Sequence, residues 1–155
     1  MLNQITPFLR PFQRERRTQG ERSLFMAYLG VAIFGAMLGL NVVLTLGGAA
    51  AWITPFTTYN YWIMLSSAIG GCAGLYIGRD WMGHAGSRGA MRAAIGAVWI
   101  SLVGAVIGGT LALPLYGTMF GPFTLVVTLF GAPLLALVWA CALFSAHLMF
   151  KVQRA

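Results

Sequence analysis

Charge is what this sequence has least of. Asp, Glu, Lys and Arg together make up 8% of its 155 residues, against about 25% in a typical soluble domain. A chain of this length with so few charges cannot keep a globular surface hydrated, which excludes an ordinary soluble enzyme or nucleic-acid-binding domain. Acidic residues are the scarcest: Glu15, Glu21 and Asp80 are the three of them. Residues 23–78 and 93–150 contain no charged side chain. Charge inside the membrane is the usual mark of ion-coupled transport and proton relays, so its absence argues against both. Cysteine is nearly missing too. Cys72 and Cys141 both lie in apolar stretches, where they read as small packing residues rather than a disulfide framework.

The candidate chemistry is correspondingly thin. A metal site wants three or four ligands, and the chain has two histidines, His84 and His147. A haem would need a histidine pair across helices, and His84 falls in a turn. Asp80, His84 and Ser87 have the residue types of an acyl-transfer triad, but such triads are recognised by geometry in a rigid frame, and these three share one short Gly-rich turn. No catalytic residue, metal or cofactor is expected. The chain also lacks the first-helix carboxylate of the small multidrug transporters and the polar pore signature of the small fluoride channels.

What is present is hydrophobicity in long blocks. The chain is 59% hydrophobic, with a mean hydropathy of +0.79. A helix needs about 20 apolar residues to cross a bilayer, and four stretches qualify or nearly so: about 24–47, 61–78, 92–115 and 125–150. The 24–47 stretch is too long for the roughly 7–15-residue core of a signal peptide and reads as a retained span. The expected fold is all-α, an integral membrane four-helix transmembrane bundle made of two helical hairpins. Residues 1–23 form a basic tail and 151–155 a short C-terminal tail. Pro7 and Pro11 oppose a continuous helix in the first of these.

The ten basic residues lie in three places: 10–22, 79–92 and 151–154. Basic segments stay on the cytoplasmic side, so both termini and the 79–92 turn are expected there. Arg14, Arg16, Arg17, Arg79, Arg88 and Arg92 would then face lipid headgroups and set the orientation. The two remaining connections, 48–60 and 116–124, are uncharged and rich in Trp, Tyr, Phe and Pro, as an opposite-face loop would be. The pattern suits a bacterial inner membrane, and the +7 net charge reads as orientation rather than nucleic-acid binding.

Lipid supplies no hydrophobic drive for helices to associate, so close backbone packing must do it, and small residues four apart permit that. Gly35 and Gly39, then Gly70, Gly74 and Gly78, then Gly104 and Gly108, then Ala136 and Ala140 give every span such a face. Asn41, costly in lipid, is expected to make a polar contact with another helix. An offset of 69 residues lays Gly35–Gly39 on Gly104–Gly108 and Cys72 on Cys141, a faint sign of duplication. With no buried charge, small-residue faces throughout and short loops, the expected role is a non-catalytic accessory or assembly subunit packed against a larger membrane complex. The competing expectation is a homo-oligomeric channel, holin-like pore or transporter, whose polar lining would have to come from Asn41, Thr45, Ser66 and Ser67.

Overall fold

The structure, a computed structural model, describes residues 6–48 and 53–154, with side chains from residue 19 onward. Five α-helices occur among the described residues: α1 (Thr6–Gly47), α2 (Thr58–Gly78), α3 (Gly86–Ala112), α4 (Gly117–Gly131) and α5 (Pro133–Arg154). A 3₁₀ turn, Arg79–Trp81, follows α2, and no strand occurs among the described residues. Among the described residues, four stretches are long and apolar enough to cross a membrane: Gln19–Gly47, Thr58–Trp81, Gly86–Ala112 and Pro133–Arg154. The fold is therefore all-helical and of membrane character.

Four of the expected boundaries are corrected. The backbone of α1 runs as one helix from Thr6, through the segment expected to be broken by proline. Pro7 sits in its first turn, where the missing N–H has no partner in a helix anyway. α2 begins at Thr58 rather than 61, because the Thr57 hydroxyl caps it by accepting from the Asn60 N–H. α3 begins at Gly86 rather than 92 and ends at Ala112. The expected loop at 116–124 is helical from Gly117, with Pro122 inside the helix.

The largest correction concerns the expected span at 125–150, which is not one helix. It is broken at Ala132, whose φ and ψ of −127° and 84° leave the helical region while its N–H still bonds the Thr128 carbonyl. The physical cause is Pro133. It has no N–H to give the Leu129 carbonyl, and its ring crowds the preceding turn. α4 has 15 residues, about 22 Å at 1.5 Å per residue; that is shorter than the roughly 30 Å hydrocarbon core.

Glycine governs how the helices meet. α2 and α3 cross backbone to backbone. A Cβ on Gly70 would strike Gly104 and Gly108, and one on Gly74 would strike the Ile100 carbonyl and Gly104. α1 approaches α2 so closely that a Cβ on Gly35 would strike the Ser67 carbonyl and one on Gly39 would stand 2.8 Å from the Met64 Cα. α4 lies on α3 through Gly117 and Gly121 against Gly109 and Ala105.

The half of the molecule nearer the Arg79–Trp81 turn is closed, with α5 seated on α1. Its core comprises Ala27, Val31, Leu75, Met82, Ala93, Ile100, Leu143, Ala146 and Phe150. The opposite half, towards Tyr59 and Ala112, is open, because α4 stays with α3 and barely meets α1.

Candidate functional site

The open half contains a cavity of about 210 Å³ that all five helices line. Phe34, Leu38 and Val42 of α1 form one wall, and Phe120, Thr124 and Leu125 of α4 form the facing one. Its floor is glycine-rich: Gly71 of α2 with Gly104, Gly108 and Gly109 of α3. Trp139 and Leu143 of α5 close it at mid-depth. The break at Ala132 creates the space. Above it, α4 follows α3; below it, α5 returns to α1, and the gap between α1 and α4 is left unfilled.

The hydroxyls of Ser67, Ser101 and Thr124 in these walls are already engaged. The Ser67 hydroxyl donates to the Ile63 carbonyl at 2.9 Å. The Ser101 hydroxyl donates to the Ala97 carbonyl at 2.7 Å and accepts the Trp139 indole N–H at 2.8 Å. Hydroxyls that bond the preceding turn of their own helix present little polarity to a ligand. The wall chemistry therefore suits hydrocarbon: a lipid chain or the apolar side chains of another helix.

The mouth of the open half is held by aromatic donors. Trp62 gives its indole N–H to the Leu111 carbonyl at 3.0 Å, and the Tyr59 hydroxyl reaches the Ala112 carbonyl at 3.3 Å. Both carbonyls belong to the last turn of α3, where no intrahelical donor remains. α2 is thereby tied to the end of α3.

The residues singled out in the sequence fall in different places. Gly35, Gly39, Gly70, Gly74 and Gly104 stand at helix crossings; Gly78 lies against the Ile100 side chain, and Gly108 against Ser66 and Ser67. On α5 the buried residues are Leu143, Ala146 and Phe150, whereas Ala136 is half-buried and Ala140 exposed. Asn41 is half-buried and stands outside the cavity lining; its carbonyl accepts the Thr45 hydroxyl at 2.7 Å. The side chains of Arg14, Arg16 and Arg17 lie outside the described residues. Arg79 stacks over the Tyr76 ring at 4.8 Å and Arg92 over the Trp81 ring at 6.0 Å, while Arg88 is exposed.

Sequence reasoning missed Gly109, Gly117 and Gly121, which seat α4 on α3. The spacing of Gly117 and Gly121 carried the signal, but Pro122 beside them argued for a loop. It also missed Trp139, because an indole that bridges to α3 looks in sequence like any other apolar residue.

At the closed end, Asp80, His84 and Ser87 are not linked to one another by any hydrogen bond among the described residues. Asp80 instead lies 4.0 Å from Arg154, which also reaches His84. No group of three or more His, Cys, Asp or Glu side chains converges among the described residues. Cys72 is half-buried, with its thiol 3.7 Å from the Tyr28 carbonyl, and Cys141 is exposed.

No protein-family model matches this chain, and no curated protein or solved structure matches it significantly.

Proposed function

We propose that this is a non-catalytic accessory or assembly protein of a membrane complex, and that the slot between α1 and α4 receives a row of apolar side chains from a larger membrane partner. The observation that carries the reading is the slot itself: an apolar cleft in which the Ser67, Ser101 and Thr124 hydroxyls donate to carbonyls of their own helices. In this reading four spans form the bundle, with both termini and the Arg79–Trp81 turn on the cytoplasmic face of a bacterial inner membrane. The positive-inside distribution of all ten basic residues supports that orientation.

A pore built from several copies is the second reading, and the hydroxyl geometry weighs against it. Such a pore needs polar groups free to face water. Thr45, Ser67, Ser101 and Thr110 each donate to a carbonyl four residues back, and Ser66 is fully buried.

The test is purification in a mild detergent from the native membrane, wild type beside Leu38→Trp, which fills the slot from α1. A larger membrane protein should co-purify in fixed ratio with the wild type and be lost from the variant, while the variant keeps its helical signal and melting temperature. Recovery of a homo-oligomer that leaks ions in liposomes, with no partner, overturns the reading.

A further inference from the structure

The closed end brings together two histidines in a way that fixes the protonation of both. The Gly83 N–H lies 3.1 Å from His147 Nδ1. A backbone N–H only donates, so Nδ1 accepts and the ring hydrogen sits on Nε2. An Arg154 guanidinium nitrogen lies 3.2 Å from His84 Nε2. Guanidinium has donors and no acceptor, so His84 Nε2 accepts and its hydrogen sits on Nδ1, which is buried and has no partner. A protonated imidazole carries two donors and no acceptor. Both bonds therefore exist only while both rings are neutral.

These bonds join the turn after α2 to the last two turns of α5. Gly83 is at the centre. Its φ of +80° is a conformation open to glycine, and a side chain there would strike Phe150. Met82 beside it is buried. Arg154 also donates to the Arg79 carbonyl at 3.2 Å.

We propose that His84 and His147 form an acid-released latch that holds the α2–α3 turn against the end of α5. Acid converts each ring from acceptor to cation, removes the bonds from Gly83 and Arg154, and adds positive charge beside Lys151 and Arg154. The charged groups on the surrounding elements are Arg79 and Asp80 of the turn, Lys151 and Arg154 of α5, Arg88 and Arg92 of α3, and Glu21 and Arg22 of α1. Cations outnumber carboxylates among them, and Asp80 is 86% exposed, where water screens its attraction. Protonation abolishes each acceptor, so the latch is made while the rings are neutral and lost in acid.

The experiment uses the full chain in phosphatidylcholine nanodiscs. With ¹⁵N-labelled histidine, NMR at pH 8 should show two neutral rings, one of each tautomer; a cationic ring, or two rings of one tautomer, overturns the latch. Hydrogen exchange of residues 82–85, corrected for the intrinsic pH dependence, should lose protection about tenfold between pH 8 and pH 5. Equal corrected protection at the two pH values overturns it as well. In the double variant His84→Gln/His147→Asn, the amide oxygens stand in for Nε2 and Nδ1 and accept at every pH, so the pH-dependent loss should vanish. Its persistence assigns the opening to another group and defeats the proposal. Should the double variant misfold, the two wild-type measurements decide.

Discussion

Trp139 of α5 donates its indole N–H to the hydroxyl of Ser101 on α3 at 2.8 Å. Ser101 passes its own hydrogen to the Ala97 carbonyl, so the pair forms a donor chain running from one helix into the next. It stands where the slot ends, and it is the polar tie that joins α5 to α3 across the bundle.

Interhelical hydrogen bonds in membranes are worth about 0.6 kcal/mol on average and about 1.7 at most. A double-mutant cycle of Trp139→Phe and Ser101→Ala, followed by unfolding in SDS, should give a coupling energy of about that size. Additive single effects would show that the bond contributes nothing.

The backbone crossing of α2 and α3 makes a sharper prediction. A methyl group at Gly74 meets the Ile100 carbonyl and Gly104, whereas at Gly30 of α1 it meets nothing within 4 Å. Gly74→Ala should destabilise by about 1–3 kcal/mol through overpacking, and Gly74→Leu should abolish accumulation of the folded protein. Gly30→Ala should be neutral or stabilise by about 0.5–1 kcal/mol, since alanine is the better helix former. Thermal melting in detergent, with equal losses at the two positions, would dismiss the crossing as the cause.

Leu115 links α3 to α4 with a φ of 73° and is almost fully exposed. A side chain in that region costs about 1–2 kcal/mol, partly offset in glycine by its freer unfolded chain. Leu115→Gly should therefore raise the melting temperature, with a net gain below about 1 kcal/mol. A lower melting temperature would mean that the leucine side chain holds the connection by packing.

Orientation has its own measurement. Single cysteines at Ser87 and Tyr116, each exposed, are placed in a chain with Cys72 and Cys141 replaced by serine. A membrane-impermeant maleimide should label the Tyr116→Cys protein from outside intact cells. The Ser87→Cys protein should be labelled only after lysis. The reverse pattern would invert the proposed topology.

Much of this was legible in sequence, though unevenly. The long apolar helices could be read because charge is confined to residues 10–22, 79–92 and 151–154. The glycines at 35, 39, 70, 74, 104 and 108 could be marked because spacing of four puts them on one helix face. Which helix each would meet could not be read, since the face of a helix does not name its neighbour. Pro122 and Pro133 misled in opposite directions. The first marked a loop where α4 is helical. The second was passed over inside a run of apolar residues, although it ends the helix at Ala132.

The sequence by itself determined the class of this protein. So few charges, kept out of two long tracts, leave a chain that is stable only where lipid replaces water. Tertiary structure alone decided where it has a cavity and where it has a latch. The slot depends on α4 choosing α3 over α1 after the break at Ala132, and the latch depends on Gly83 and His147, 64 residues apart in the chain, arriving at one point. Both follow from how helices seat against one another, which small-residue contacts settle only when all the partners are in place.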